Sequence, residues 1–103
     1  MEIRQIGDFE IDRCVEDDGY IIIDLRDREE YDYNRIKGAV NVPFEDFDMY
    51  LNENNFEGRK IILYCDRGGR SFAIARKYGD KYDIRVLGGG IHSYRGKYLV
   101  KKM

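Results

Sequence analysis

Cys65 opens the stretch Cys65-Asp66-Arg67-Gly68-Gly69-Arg70-Ser71, which gathers a nucleophilic sulfur, two adjacent glycines, two arginines and a hydroxyl. Adjacent glycines let the backbone take conformations closed to other residues, so successive N–H groups can turn inward around one point. A helix beginning near Ser71 adds unsatisfied N–H groups and the positive end of its dipole, and Arg67 and Arg70 add full charges. Such a cradle suits a thiolate, the reactive form of cysteine, and would hold a sulfur-bound intermediate or an oxyanion. Taken singly, each part has a plainer reading: a small apolar residue ending a strand, a Gly-Gly turn, solvated arginines. Their meeting at one strand-to-helix junction points to chemistry. The candidate nucleophile is Cys65, and the candidate substrate-binding loop is Asp66, Arg67, Gly68, Gly69, Arg70 and Ser71, with no metal ligands among them.

Other reactive types have blander assignments. Cys14 falls on the apolar face of a first helix beside Ile11 and Val15, where core packing is favoured over a resolving thiol. Arg26 and Glu30, four apart where a strand passes into a helix, suggest a structural ion pair. Asp24 at a strand end is expected to order nearby backbone N–H groups. His92, the only histidine, is not needed as a base, and Tyr64 and Tyr94 are the tyrosines placed to line a pocket. Gly88-Gly89-Gly90 lacks the Lys-Ser/Thr of a phosphate loop and fits a tight turn after the last strand.

The elements that must position these residues follow from the apolar pattern. Tyr20–Leu25 and Lys60–Tyr64 are Ile-rich runs that predict strands buried on two faces. Ala39–Val42 and Ile84–Leu87 are shorter strand candidates, and Glu2–Gln5 a candidate edge strand. Helical patterns lie between them at Phe9–Val15, Arg28–Tyr33, Glu45–Leu51, Ser71–Tyr78 and His92–Tyr98. This alternation predicts an α/β fold, a mostly parallel sheet of about five strands with helices on both faces. In such sheets ligands sit beyond the carboxyl ends of the strands, where Cys65 falls.

Length and composition bound the rest. The 103 residues suffice for one domain with one core, expected over 1–103, and no linker or repeat is visible. Two cysteines read as thiols rather than as a disulfide framework. The apolar runs are too short to span a bilayer, and the start Met1-Glu2 does not resemble a signal peptide, so a cytoplasmic protein is expected, with no membrane partner. The net charge of −2 hides an asymmetry: residues 1–58 carry 6 Lys/Arg against 17 Asp/Glu, and residues 59–103 carry 12 against 3. Either these charges interleave on one solvated surface, or the basic half presents a positive mouth to an anionic substrate. A nucleic-acid partner is disfavoured, because the net charge is negative and no aromatic stripe accompanies the basic residues.

The loop from Cys65 to Ser71 is similar to the active-site loop of rhodanese-like domains, and three further segments resemble that family in the same order. These are Asp24-Leu25-Arg26 followed by Glu30-Tyr31; Lys37-Gly38-Ala39-Val40-Asn41-Val42-Pro43; and Leu87-Gly88-Gly89-Gly90 with Tyr94 and Gly96. Two positions depart from the pattern: Asn34-Arg35 where Gly-His is usual, and Tyr94 where Trp is usual. The resemblance implies a single-domain sulfurtransferase with no metal or organic cofactor. Cys65 would take a sulfane sulfur from a small anion such as thiosulfate or from a persulfide, and yield it to a thiol or an acceptor protein. Cys-based phosphatases place five residues between cysteine and arginine, whereas Cys65 and Arg70 enclose four, a smaller cradle better matched to sulfur. A phosphatase or arsenate reductase on this fold is therefore the lesser alternative. A module that binds an anion or partner without turnover is the other, and the retention of Cys65, both glycines and Arg70 counts against it. Asp66, a negative charge beside the nucleophile, disfavours a dianionic donor.

Overall fold

A computed structural model describes residues 2–56 and 58–102. Strands β1 (Arg4–Ile6), β2 (Tyr20–Asp24), β4 (Val40–Asn41), β5 (Lys60–Tyr64) and β6 (Ile84–Leu87) form one sheet in the order β1-β6-β5-β2-β4, every neighbouring pair parallel. Helices α1 (Asp8–Val15), α2 (Arg28–Tyr33), α3 (Phe47–Glu53) and α4 (Gly69–Tyr78) provide the crossovers that parallel pairing requires. The α/β architecture expected from the sequence is observed.

β5 is central, and its side chains alternate between two cores. Ile61, Leu63 and then Cys65 join Phe47 and Leu51 of α3 and Ile74 and Ala75 of α4 on one face. Ile62 and Tyr64 join Ile11 of α1, together with Ile36, Ile91 and Tyr94, on the other. Burying each Ile or Leu fully is worth about 1.5–3 kcal/mol, against about 0–1 kcal/mol for an exposed ion pair. The apolar faces therefore dominate the stability. Only Lys77–Asp48, among the ion pairs of the described residues, joins a cation of the basic half to a carboxylate of the acidic half. The charge asymmetry is mostly a solvated surface.

The C-terminal region differs from the expected helix over His92–Tyr98. A single 3-10 turn at Ile91–Ser93 is followed by extended chain and by β7 (Leu99–Lys101). β7 pairs antiparallel with β3 (Asn34–Ile36), a two-stranded ribbon absent from the sequence-based expectation. The physical reason lies on α1. Its carboxylates capture the backbone N–H groups that a helix would have used: Arg95 donates to Asp8 at 2.9 Å and Lys97 to Asp12 at 3.0 Å. The first strand is likewise displaced from the expected Glu2–Gln5 to Arg4–Ile6, which buries Ile6. No helix among the described residues is long and apolar enough to cross a membrane.

Candidate active site

Cys65 directly follows β5, so the sheet carries its thiol to the carboxyl edge, where it is 3% exposed. Its Sγ accepts the N–H of Gly68 at 3.1 Å. Gly68 caps α4 with φ +112°, a backbone state that disfavours any residue bearing a Cβ. Its carbonyl accepts the Phe72 N–H at 3.0 Å to start the helix, and the N–H groups of the first turn have no intrahelical partner. The N–H groups of Asp66 and Arg67 also make no hydrogen bond among the described residues. The sulfur thus sits on the Gly68 N–H at the positive end of a ten-residue helix, in a loop whose neighbouring N–H groups carry no hydrogen bond among the described residues.

Ser71 is fully buried beneath this loop. Its hydroxyl donates to the Gly68 carbonyl at 3.0 Å and lies 3.6 Å from Cys65 Sγ. Cys65, Gly68 and Ser71 are thereby brought together, with Gly69 opening the helix. Asp66, Arg67 and Arg70 are exposed instead. Arg67 Nε stands 3.6 Å from the Asp66 carboxylate, so much of its charge is offset, while Arg70 makes no ion pair among the described residues. Arg70 is left as the uncompensated cation of the loop.

One part of the site was not read from the sequence. The turn after β6 meets the loop from outside: Ile91 N–H donates to the Cys65 carbonyl and His92 N–H to that of Asp66, both at 3.0 Å. His92 contributes backbone, not imidazole, to this arrangement. Gly88-Gly89-Gly90 forms the expected tight turn, after β6, which is the last strand of the parallel sheet but, with β7 following, not of the chain. Its glycines were the available signal, but their partners lie far away along the chain.

The neighbouring groups correct three expectations. Arg26 pairs with Asp24 rather than Glu30: its Nη2 reaches the Asp24 carboxylate at 2.9 Å, and both side chains are buried. Glu30 instead accepts the Asp27 N–H at 3.3 Å at the start of α2. Burial opposes the charge of Arg26, yet the Asp24 carboxylate more than compensates and holds its pKa above the ordinary value. Asp24 also accepts the Arg26 N–H at 2.9 Å, the backbone-ordering role expected of it. Tyr64 lines no pocket; it is fully buried on the α1 face, its hydroxyl accepting the Ile36 N–H at 3.1 Å. Burial, and then the charge of Asp24, push its pKa far up. Tyr94 is buried too, donating to Asp12 and accepting the Tyr98 N–H at 3.0 Å, with its pKa raised by burial and by the bond to Asp12.

The other departure from the pattern, Asn34-Arg35, is structural like that at Tyr94. Asn34 accepts Arg26 through its side chain at 3.0 Å and its carbonyl at 2.5 Å, and Arg35 lies over the Tyr31 ring. Both cysteines are free thiols. Cys14, half-buried, donates to the Glu10 carbonyl at 3.3 Å, and burial pushes its pKa up. It lines a cavity with Arg4, Tyr20 and Arg85 at the amino end of the sheet, away from Cys65. Beside the loop itself, Arg26, Glu29, Glu30, Tyr33, Asn34 and Asp66 line an open groove of about 380 Å3.

Comparison with known proteins bears on this arrangement. A tRNA sulfurtransferase of Desulfurococcus amylolyticus is 36% identical over 76 residues, which are 73% of this chain and 15% of that protein. A tRNA uridine(34) hydroxylase of Staphylococcus aureus is 32% identical over 114 aligned positions, 97% of this chain and 36% of that protein. The chain thus spans well under half of either curated relative. The crystal structure of a rhodanese-like domain protein from Staphylococcus aureus superposes with a TM-score of 0.78 over 98% of this chain and 100% of that one, at 23% identity, a likeness of fold. A family model described as the rhodanese-like domain matches residues 10–97, a span that includes both the loop after β5 and the turn that grips it. The chain belongs to the rhodanese-like domain family.

Proposed function

We propose that this chain is a sulfurtransferase, one rhodanese-like domain over residues 1–103, that carries a sulfane sulfur as a persulfide on Cys65. The observation that carries this reading is the Cys65 sulfur itself, held at 3.1 Å by the Gly68 N–H amid unbonded donors at the start of α4. The name of the Desulfurococcus relative supports sulfur transfer as the reaction class. The RNA named for both relatives belongs to proteins of which this chain covers a small part, so the reading extends to the sulfur-carrying step alone. The cytoplasm is the proposed compartment, a reducing one in which two unpaired cysteines stay thiols.

In the first half-reaction the Cys65 thiolate attacks the outer sulfur of the donor. With thiosulfate, a new S–S bond forms, the donor S–S bond breaks, and its electron pair leaves with sulfite. The loop N–H groups meet the negative charge now carried by the outer sulfur. In the second half-reaction a thiophilic acceptor attacks that outer sulfur, and the electrons of the broken bond return to Cys65. Arg70, exposed and without an ion pair among the described residues, would attract an anionic donor, and Asp66 would favour the less charged persulfides over a dianion to the extent that its exposed pair with Arg67 leaves its charge unscreened.

The test combines thiosulfate or polysulfide donors with cyanide, following thiocyanate and the mass of the Cys65 peptide. Gain of one sulfur atom on Cys65, and its loss in Cys65→Ser with the fold intact, is expected. If no donor leaves sulfur on Cys65, or Cys65→Ser remains active, the reading is wrong. Hydrolysis of a small aryl phosphate would favour the phosphatase alternative instead.

A further inference from the structure

We infer that the Ile91 and His92 N–H groups, which follow the turn after β6, position the sulfur cradle, and that Gly90 is the residue on which this depends. The inference rests on the sulfurtransferase reading and adds a residue outside the loop to its machinery. A trans peptide unit is planar, with its carbonyl and N–H pointing in opposite directions. Fixing the Cys65 carbonyl therefore fixes the direction of the Asp66 N–H, and fixing the Asp66 carbonyl fixes that of Arg67. The Ile91 and His92 N–H groups hold those two carbonyls, each at 3.0 Å. The N–H groups of Asp66 and Arg67 are left on the opposite side of the loop, unbonded among the described residues. With the Gly68 N–H they supply donors in sequence to a sulfur bound beyond Sγ.

The close approach needs a glycine. Gly90 has φ +66°, and a Cβ there would stand 2.5 Å from the Cys65 carbonyl oxygen and collide with that of Asp66. Gly90→Ala would therefore push the turn off the loop, break both bonds and release two peptide planes. Gly89 is a matched control. It too has positive φ, +78°, but its Cβ would meet the Ser93 side chain, 2.8 Å from the hydroxyl, and neither carbonyl of the loop.

The experiment compares wild type, Gly90→Ala, Gly89→Ala and a semisynthetic chain ligated at Cys65 in which the Ile91 amide is an ester. The ester deletes one donor without adding an atom to the turn. For sulfur transfer from thiosulfate to cyanide, kcat should fall about 100-fold in Gly90→Ala, the low end of what loss of one preorganised donor costs, and about 10-fold in the ester, which removes one of the two bonds that hold the loop and none of the donors that face the sulfur. KM for thiosulfate should change by less than about threefold, and Gly89→Ala should keep kcat within about threefold despite its own backbone strain. A second readout needs no turnover. On ionising Cys65 with base, the amide protons of Asp66, Arg67 and Gly68 should shift together by NMR in wild type and Gly89→Ala, and lose that joint response in Gly90→Ala. Folded Gly90→Ala and ester proteins with wild-type kcat and wild-type amide response would overturn the inference while leaving sulfur transfer standing. A wild type without sulfur transfer would overturn the functional reading, and the amide response alone would then decide the positioning role.

Discussion

Replacing Asp24 by Asn should remove a large part of the stability of this domain. Asp24 is fully buried and Arg26 is 4% exposed. The two carboxylate oxygens accept the Arg26 backbone N–H at 2.9 Å, Nε at 3.1 and 3.3 Å, and Nη2 at 2.9 Å. Asn preserves the shape but removes the charge and turns an amide NH2 toward a guanidinium. Removing one partner of a buried pair costs about 3–5 kcal/mol, because the other charge stays buried and unmatched. A domain of this size has about 5–15 kcal/mol in total, so the melting temperature should fall by at least about 10 °C. Urea unfolding followed by circular dichroism gives the loss, with Asp32→Asn, which breaks the exposed Arg28–Asp32 pair, as a control expected to cost less than about 1 kcal/mol. The double variant Asp24→Leu/Arg26→Met should recover more than half of the loss. It strands no charge, although the Arg26 N–H and the Asn34 acceptors each forfeit a bond worth about 1 kcal/mol. If Asp24→Asn costs no more than Asp32→Asn, the pair is not a desolvated one and the reasoning fails.

Two further outcomes follow from groups around the loop. Tyr64 has a folded-state pKa raised above its unfolded value, so its contribution is fully present below about pH 10 and is lost as pH rises beyond that. Tyr64→Phe, which strands the Ile36 N–H, should cost about 1–3 kcal/mol near neutrality, and the gap from wild type should narrow at about pH 11 in urea titrations; a constant gap refutes this. Arg70→Ala should raise KM for thiosulfate about 2–5-fold more than for an uncharged organic polysulfide, an excess erased by high salt. Equal effects on both donors would remove Arg70 from anion recognition.

The central strands and the loop were legible because their signals are local. An Ile-rich run marks β5, and glycines beside a cysteine mark the turn into α4. The partner of Arg26 was misread because the four-residue rule holds on helices, and Arg26 precedes α2, where the extended chain brings its side chain back to Asp24 two residues earlier. The ribbon of β3 and β7 was invisible for another reason. Each strand has three residues, too few for an alternating pattern to register. Tyr94, expected to line a pocket, is instead buried with its hydroxyl on the carboxylate of Asp12, a partner near the other end of the chain that no local pattern announces. The grip of Ile91 and His92 on the loop is likewise a backbone contact, which no side-chain identity encodes.

The strand order has a consequence for how the molecule is made. β1 completes the sheet only by pairing with β6, as Arg4 does with Arg85, so the first strand has no partner until most of the chain has been synthesised. Pairings of such long sequence separation are slow to close, and during translation β1 and the free edge of β5 both wait for β6, the strand that lies between them. The grip on the Cys65 loop arrives later still, with residues 91 and 92. A nascent chain halted short of them would display the thiol with its neighbouring peptides unanchored. On the positioning role proposed for these residues, sulfur transfer at Cys65 would wait for completion of the fold.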